Sequence, residues 1–405
     1  MEIKIYLRHL QKIMISSMKK HLLLFVALLS LCLTASAQQR KLNVYGVGFY
    51  NLENLFDTCH DVGKNDYEFL PKGSYRWNGM KYTHKLHNMA QALSDMGTNV
   101  LKGVGCSVIG VSEVENDRVL ADLCNQPALK ARGFKFCHVE GPDRRGVDCG
   151  LLYNPNFFTV TDVRLYPYIP TDKQSPKFHT RGFLAVGGLM AGERVVFIVC
   201  HLPSRFNGSY YREVGAEQAA NVKNRILAAD RHCKVFVMGD MNDDPTDKSI
   251  HEKLAGKEEI SMVGKNDMYN PWYNVLAKQG TGTLQYQGNW NLFDQILMSP
   301  NLLNRDGAKD FSSLKYVKKE IQRMPYLFQT EGKYKGNTKR TTAGGVWLDG
   351  YSDHLPVVVY LAKSQDARQN TVSDFKLPAF TEAEQAYIDR CEAERKELEA
   401  NDKNR

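Results

Sequence analysis

Val235-Phe236-Val237-Met238-Gly239-Asp240-Met241-Asn242-Asp243-Asp244-Pro245 is the stretch whose reading decides the fold. Four consecutive apolar residues predict a strand buried on both faces, since such a strand needs no polar alternation. Gly239 is expected to let the backbone turn sharply at the strand end. Asp240 and Asn242, one residue apart, can project the same way from an extended backbone. The first is an anionic acceptor and a possible base; the second is a neutral amide able to donate to a phosphate oxygen. Pro245 stops further pairing. Alone, the stretch reads as an Asx-rich turn after a strand; its surroundings argue for more.

The same design recurs along the chain. The strand Leu42–Tyr50 delivers Asn51 and Glu53, and Val108–Ser112 ends in Glu113. Gly150–Tyr153 follows Asp148, and Phe183–Val186 follows Thr180-Arg181-Gly182. The apolar run Val195–Cys200 ends in His201, Asp294 opens Gln295–Met298, and Asp353-His354 precede Val357–Leu361. Ordinary cores do not place a carboxylate, amide or imidazole at seven strand tips, whereas sites are commonly built there. The inventory is rich in oxygen and holds only two histidines, which favours Mg²⁺, or else Mn²⁺ or Ca²⁺, over zinc. A hard cation, a base and phosphate-directed donors suit hydrolysis of a phosphate ester.

Helices are predicted around Leu86, Met89, Ala90 and Leu93, and from Glu213 to His232, with a shorter one between Tyr269 and Lys278. His84 and His87 read as ordinary helix surface. Residues 323–350 form a Gly-rich loop in which Lys333, Lys335, Lys339 and Arg340 stand against Glu331, with Asp349 at its end, a setting that suits an anionic substrate. No internal repeat is present.

The N-terminus carries an address. Lys19-Lys20, the apolar run Leu22–Leu33 and Ala35-Ser36-Ala37 match a secretory signal cut after Ala37, with Met18 a better start than Met1. The apolar run is too short to span a bilayer, so no transmembrane segment is expected after its removal, and the protein is expected to be exported, periplasmic or extracellular. Residues 1–37 hold five of the basic residues and one of the acids, so without them the net charge falls from +8 to +4, weak support for a nucleic-acid partner. The eight cysteines beyond Ala37 lack metal-binding spacing and are as compatible with buried thiols as with disulfides. Residues 38–363 read as one catalytic domain, and 364–405 as a polar tail, helical or partly disordered, with a capping box at Thr381 and Glu384.

NLEN, SEVEN, HLPSR, GDMNDDP, LFDQILMS and SDHLPVVV, in that order, make residues 42–361 resemble the endonuclease/exonuclease/phosphatase superfamily, which spans nucleases, sphingomyelinases and inositol-phosphate phosphatases. The resemblance implies an α/β fold, a four-layer α-β-β-α sandwich of two mixed β-sheets flanked by helices. It implies Glu113 as principal metal ligand, with Asn51 and Glu53 completing or orienting the metal shell and Asp353 nearby. Asp240 would position or deprotonate water, Asn242 would hold the phosphate, and Asp294 would orient His354. His201 would pair with Asp148, and Arg181 would contact substrate phosphate. The expected activity is that of an exported, metal-dependent nuclease-like phosphodiesterase. A sphingomyelinase-like phospholipase C or a sugar- or inositol-phosphate phosphatase is the alternative, and a catalytically silent binding protein is the alternative of another class. A lipase would need an exposed aromatic hairpin, for which Tyr269, Trp272, Tyr273, Tyr286 and Trp290 are the available residues.

Overall fold

The structure is a computed structural model that describes Met14 and residues 17–20, 41–305, 307–367 and 375–402. The expected signal segment falls almost wholly outside these residues; Met14 and residues 17–20 are helical. Among the described residues no helix is long and apolar enough to cross a membrane.

Residues 42–405 form one compact unit, organised around two mixed sheets. The first contains β1 (Leu42–Leu55), β2 (Cys106–Val114), β3 (Lys135–His138), β4 (Asp148–Tyr153), β14 (Lys315–Ile321) and β17 (Val357–Ser364), in the order β14-β17-β1-β2-β4-β3. The second contains β5 (Phe158–Tyr166), β6 (Phe183–Met190), β7 (Glu193–His201), β8 (Lys234–Asp240), β9 (Gly256–Lys257), β10 (Met268–Tyr269) and β13 (Asp294–Met298), in the order β5-β6-β7-β8-β13-β10-β9. Small hairpins pair β11 (Leu284–Tyr286) with β12 (Asn289–Asn291), and β15 (Thr342–Ala343) with β16 (Val346–Trp347).

Side-chain parity explains the layers. In β8, Phe236 and Met238 join the core between the sheets, where Val47, Phe49, Val108 and Leu151 meet them. Val235 and Val237 point the other way, onto the alanine-rich face of α4 (Ser209–Ala229). The strand is covered twice, which is why its sequence does not alternate. On the far side, α1 (Gly79–Asp95), α2 (Asp117–Cys124) and α3 (Pro127–Lys130) cover the first sheet, with Leu86, Met89 and Leu93 packed on Ile109 and Val111. The result is the four-layer α-β-β-α sandwich. The short α5 (Val275–Gln279) occupies only the end of the helix expected over 269–278.

Gly239 serves a different purpose from the turn expected of it. It lies within β8, and an added Cβ would stand 1.9 Å from the Cys200 carbonyl oxygen. The glycine is there because β7 approaches too closely for any side chain. The turn is made three residues later by Asn242, at φ +50°.

The segment beyond residue 363 is part of this unit and not a detached tail. Phe375 and Leu377 are buried in the same cluster as Ala185, Val196 and Ile198, and α6 (Glu382–Asp402) follows. Thr381 and Glu384 form the reciprocal cap, with N···O distances of 2.8 and 3.2 Å. Arg225 on α4 then grips Glu384 through two bonds of 2.6 and 2.9 Å. The eight cysteines of this unit are all free, and six are buried.

Candidate active site

Strands β7, β8 and β13 are neighbours, and their registers pair His201 with Asp240 and Asp240 with Asp294. Residues in register share a face, and here that face looks into the space between the sheets, because Phe197, Phe236 and Ile296 of the same parity lie in the inter-sheet core. Asn51 has the matching parity on β1, opposite. Four strand ends therefore converge. Asp240 Oδ2 accepts from Asn51 Nδ2 at 3.0 Å and lies 3.5 Å from His201 Nε2 and 3.7 Å from His354 Nε2. His354 Nδ1 meets Asp294 Oδ2 at 2.7 Å. The turn carrying His354 is tied to β1 because Ser352 Oγ donates to the Asn51 carbonyl at 2.7 Å and accepts from His354 N.

Glu113 should not reach this point by parity, since Ile109 and Val111 face the helices. Its backbone is left-handed, φ +59°, and this re-aims the carboxylate: Oε2 accepts from Asn54 N at 2.9 Å, and Oε1 comes within 3.8 Å of His201 Nε2. Glu53 and Asn54 are left-handed too, at φ +47° and +55°, where β1 bulges between Asn51 and Leu55. Such conformations cost free energy in non-glycine residues and concentrate at functional sites.

The bulge separates Glu53 from Asn51, which were expected to share a face. Glu53 accepts from Arg340 Nε at 2.8 Å and from Thr341 N at 2.7 Å, while Arg340 also pairs with Asp353 at 3.1 Å. Arg340, expected to await an anionic substrate, is thus spent on the protein's own carboxylates. Lys85 of α1, buried, donates to Thr341 Oγ1 and the Tyr351 carbonyl, both at 2.5 Å. Sequence reasoning missed this lysine, although its spacing of four from Met89 puts it on the apolar stripe. Glu53 is pushed up to about 7 by burial and by Asp353, against Lys85 and Arg340. Lys85 is pushed down to about 8, chiefly by burial.

The two histidines are driven apart. Burial works against charge on His354, but Asp294 and Asp240 outweigh it and hold the imidazole well above its ordinary value. His201 is held well below, first by burial and then by Arg181, Arg145 and His354. Asp240 rises to about 6, through burial and Asp294, opposed by His354. One cationic imidazole, one neutral imidazole and a carboxylate titrating near neutrality form the kind of divided set that acid–base chemistry uses.

Two expected placements change. Asp148 does not serve His201: its carboxylate accepts from Gly141 N at 3.1 Å and meets His138 Nε2 at 3.3 Å, because β4 leaves it beside the turn after β3. Asn242 donates Nδ2 to the Leu202 carbonyl at 3.0 Å, and its backbone N–H goes to Asp240 Oδ1 at 2.9 Å, so the Asx turn and the site coexist. Arg181 is fixed by Asp143 at 3.0 Å and Leu202 O at 3.2 Å.

A cleft of about 550 Å³ opens over these groups. Glu113, Asp240, Asn242, Asp353, His201 and His354 line it, and Arg144, Arg145, Lys177 and Arg181 form a basic wall. Arg144 and Arg145, in the turn before β4, were not among the residues expected at the site. Thr180 Oγ1, Arg181 Nε and His201 Nδ1, on residues lining the cleft, are buried without a hydrogen-bond partner. Unpaired buried polar groups are costly; of these, Thr180 Oγ1 and Arg181 Nε are donors.

Among the described residues no three His, Cys, Asp or Glu side chains stand together as a metal site. The oxygen donors present nevertheless fit a hard cation that keeps most of its waters, since such an ion takes only one or two protein carboxylates. Glu113 and Asn51 would hold it, with Asp353 at its edge.

A model of the Endonuclease/Exonuclease/phosphatase family matches residues 46–363. The chain belongs to this family. Its name joins enzymes that cleave phosphate esters, and the convergence of strand ends described above is this family member's candidate catalytic centre. The solved structure of ANGEL2, a 2′,3′-cyclic phosphatase, is similar with a TM-score of 0.51 and 12% identity, covering 81% of this chain and 99% of that one. A mannosyl-6-phosphatase from Bacteroides thetaiotaomicron aligns with a TM-score of 0.47 and 16% identity, over 78% of this chain and 99% of its own. Danio rerio TDP2, complexed with a single-strand DNA product, aligns at 0.45 and 14%, over 79% and 99%. No curated protein matches the chain.

Proposed function

We propose that the protein is an exported, divalent-metal-dependent phosphodiesterase. The observation that carries the reading is a cleft whose floor is Asp240, flanked by His201 and His354, with Arg144, Arg145, Lys177 and Arg181 along its wall. Mg²⁺, when bound at Glu113 and Asn51, would neutralise charge on the phosphate. The other work falls to the chain's own residues. Asp240, titrating near 6, takes a proton from the attacking water at neutral pH. His354, kept cationic by Asp294, donates to a non-bridging oxygen as negative charge grows there. His201, neutral, offers a ring N–H, and Asn242 and Arg181 hold the phosphate in line for attack.

The basic wall favours a nucleic-acid strand as substrate. A phospholipid-type diester has its own support in the β11–β12 hairpin: Tyr286 at its end is 65% exposed, and Leu284 bridges to His354. Trp272, by contrast, is core. Hydrolysis by residues 38–405 of plasmid DNA, sphingomyelin and bis-p-nitrophenyl phosphate, with Mg²⁺ and with EDTA, tests the reading. EDTA-sensitive cleavage of any of these, lost in Glu113→Ala, is expected. A folded protein that cleaves none leaves either an untested small phosphate substrate or a binding protein. Export is tested separately, by fractionating cells and sequencing the N-terminus, expected at Gln38.

A further inference from the structure

A second cavity lies beside the cleft, and α6 builds one side of it. The family match ends at residue 363, so this wall is an addition to the matched domain. The helix is held at a fixed stand-off. Glu394 takes His179 Nε2 at 2.8 Å, the Tyr387 hydroxyl meets His179 Nδ1 at 3.2 Å, and Arg395 pairs with Glu140 at 3.8 Å. Beneath it lies the open edge of the sandwich, where Val139 after β3 and Val163 and Leu165 on the edge strand β5 continue the inter-sheet core.

Between helix and edge remains a chamber of about 490 Å³, faced by Val163, Leu165, Phe380, Tyr387, Ile388 and Leu398. The space is half open to solvent, and the surface it presents is mainly apolar. Its volume is that of a small-molecule site. Asp143, Arg144 and His179 line both this chamber and the catalytic cleft, so an occupant of one borders an occupant of the other. At the partition Arg144 lies 3.8 Å from Glu394 of α6.

We infer that this chamber is a chain-binding subsite: it takes the apolar arm of an amphiphilic phosphate ester whose phosphate lies in the neighbouring cleft. The inference rests on the phosphodiesterase reading and, of the two substrate classes named for it, selects the phospholipid-type diester over the nucleic-acid strand. The long apolar chain loses its water on entering, while the phosphate keeps the unpaired donors of the cleft.

Two measurements test it independently. The first is binding of dodecylphosphonate, which has no ester to cleave, against methylphosphonate, by titration calorimetry below the micelle concentration. At least tenfold tighter binding of the dodecyl compound is expected, reduced to within about twofold in Ile388→Trp or Leu398→Trp, each of which fills the chamber. The second is kcat/KM for octyl and methyl esters of p-nitrophenyl phosphate, where the octyl preference should disappear in the same variants while the methyl ester is cleaved as before. Cleavage of the octyl ester held in vesicles, as well as free, would identify a membrane source; cleavage only of the free ester would identify a soluble amphiphile. Either supports the subsite if the tryptophan variants abolish the preference. If no ester is cleaved, the phosphodiesterase reading fails, and the phosphonate titration still decides the chamber. Equal affinity for both phosphonates, or a chain preference untouched by both variants, overturns the inference.

Discussion

Asp294→Asn isolates what one carboxylate does for His354. The pair is buried, and its 2.7 Å contact joins Asp294 to an imidazole that Asp294 and Asp240 keep protonated. Hydrogen bonds to charged groups contribute about 1.5–3 kcal/mol, which at 1.36 kcal/mol per tenfold converts to a loss of about 10- to 150-fold in kcat/KM. The asparagine is nearly isosteric, so packing changes little. His354 should also lose its proton at lower pH, moving the alkaline limb of the rate profile down. The stability effect has a definite sign. A raised histidine contributes stability that is fully present below its unfolded pKa, about 6.5, and is lost as pH rises through the folded value. The variant should therefore be most destabilised at pH 6 and differ less from wild type in alkali. The assay is the pH profile of bis-p-nitrophenyl phosphate hydrolysis with Mg²⁺, alongside NMR titration of the imidazole. A folded variant with wild-type rates and an unmoved alkaline limb would refute the dyad.

Glu115→Gln should stabilise the protein. Glu115 is pushed up to about 9, first by burial and then by Asp57, Asp61 and Asp66, so the stability of its neutral form, complete below pH 4.5, is lost as pH rises toward 9. The substitution keeps the acceptor for Asp57 N and removes up to about 3 kcal/mol of cost at pH 7; urea unfolding at pH 5 and pH 8 should show the gain mainly at pH 8. Phe375→Ala tests the docking of the C-terminal segment, because a buried phenylalanine lost to alanine costs about 3–5 kcal/mol. A change below about 0.5 kcal/mol in denaturant unfolding would mean that the segment is not packed as described.

Much of the site was legible because period-two patterning and strand-end chemistry are local. Asp240, Asp294, His201 and His354 needed only the position of each strand end, and register then aligned them. The convergence of Glu113 was not legible from parity, which sends it to the helix face; a left-handed backbone redirects it, and a glutamate gives no sign of that conformation. The family resemblance supplied Glu113 where the pattern could not. Asp148 illustrates the opposite failure, since the resemblance paired it with His201 while the turn after β3 brings His138 and Gly141 to it. Lys85 was hidden because its hydrogen-bond acceptors, Thr341 Oγ1 and the Tyr351 carbonyl, lie more than 250 residues away in sequence. The C-terminal segment read as a polar tail because its docking depends on Phe375, Leu377 and Phe380, three apolar residues ahead of a largely exposed helix.

The central claim is that Asp240, between two oppositely tuned histidines, does the acid–base work of a phosphoesterase. The most direct measurement is the pH dependence of kcat/KM for Mg²⁺-dependent diester hydrolysis by wild type and Asp240→Asn. Activity rising through an acid limb near pH 6 in the wild type, and falling by about 10²-fold or more in the variant with Mg²⁺ binding retained, is the predicted result. An Asp240→Asn protein that turns over like wild type, with the same acid limb, would contradict it.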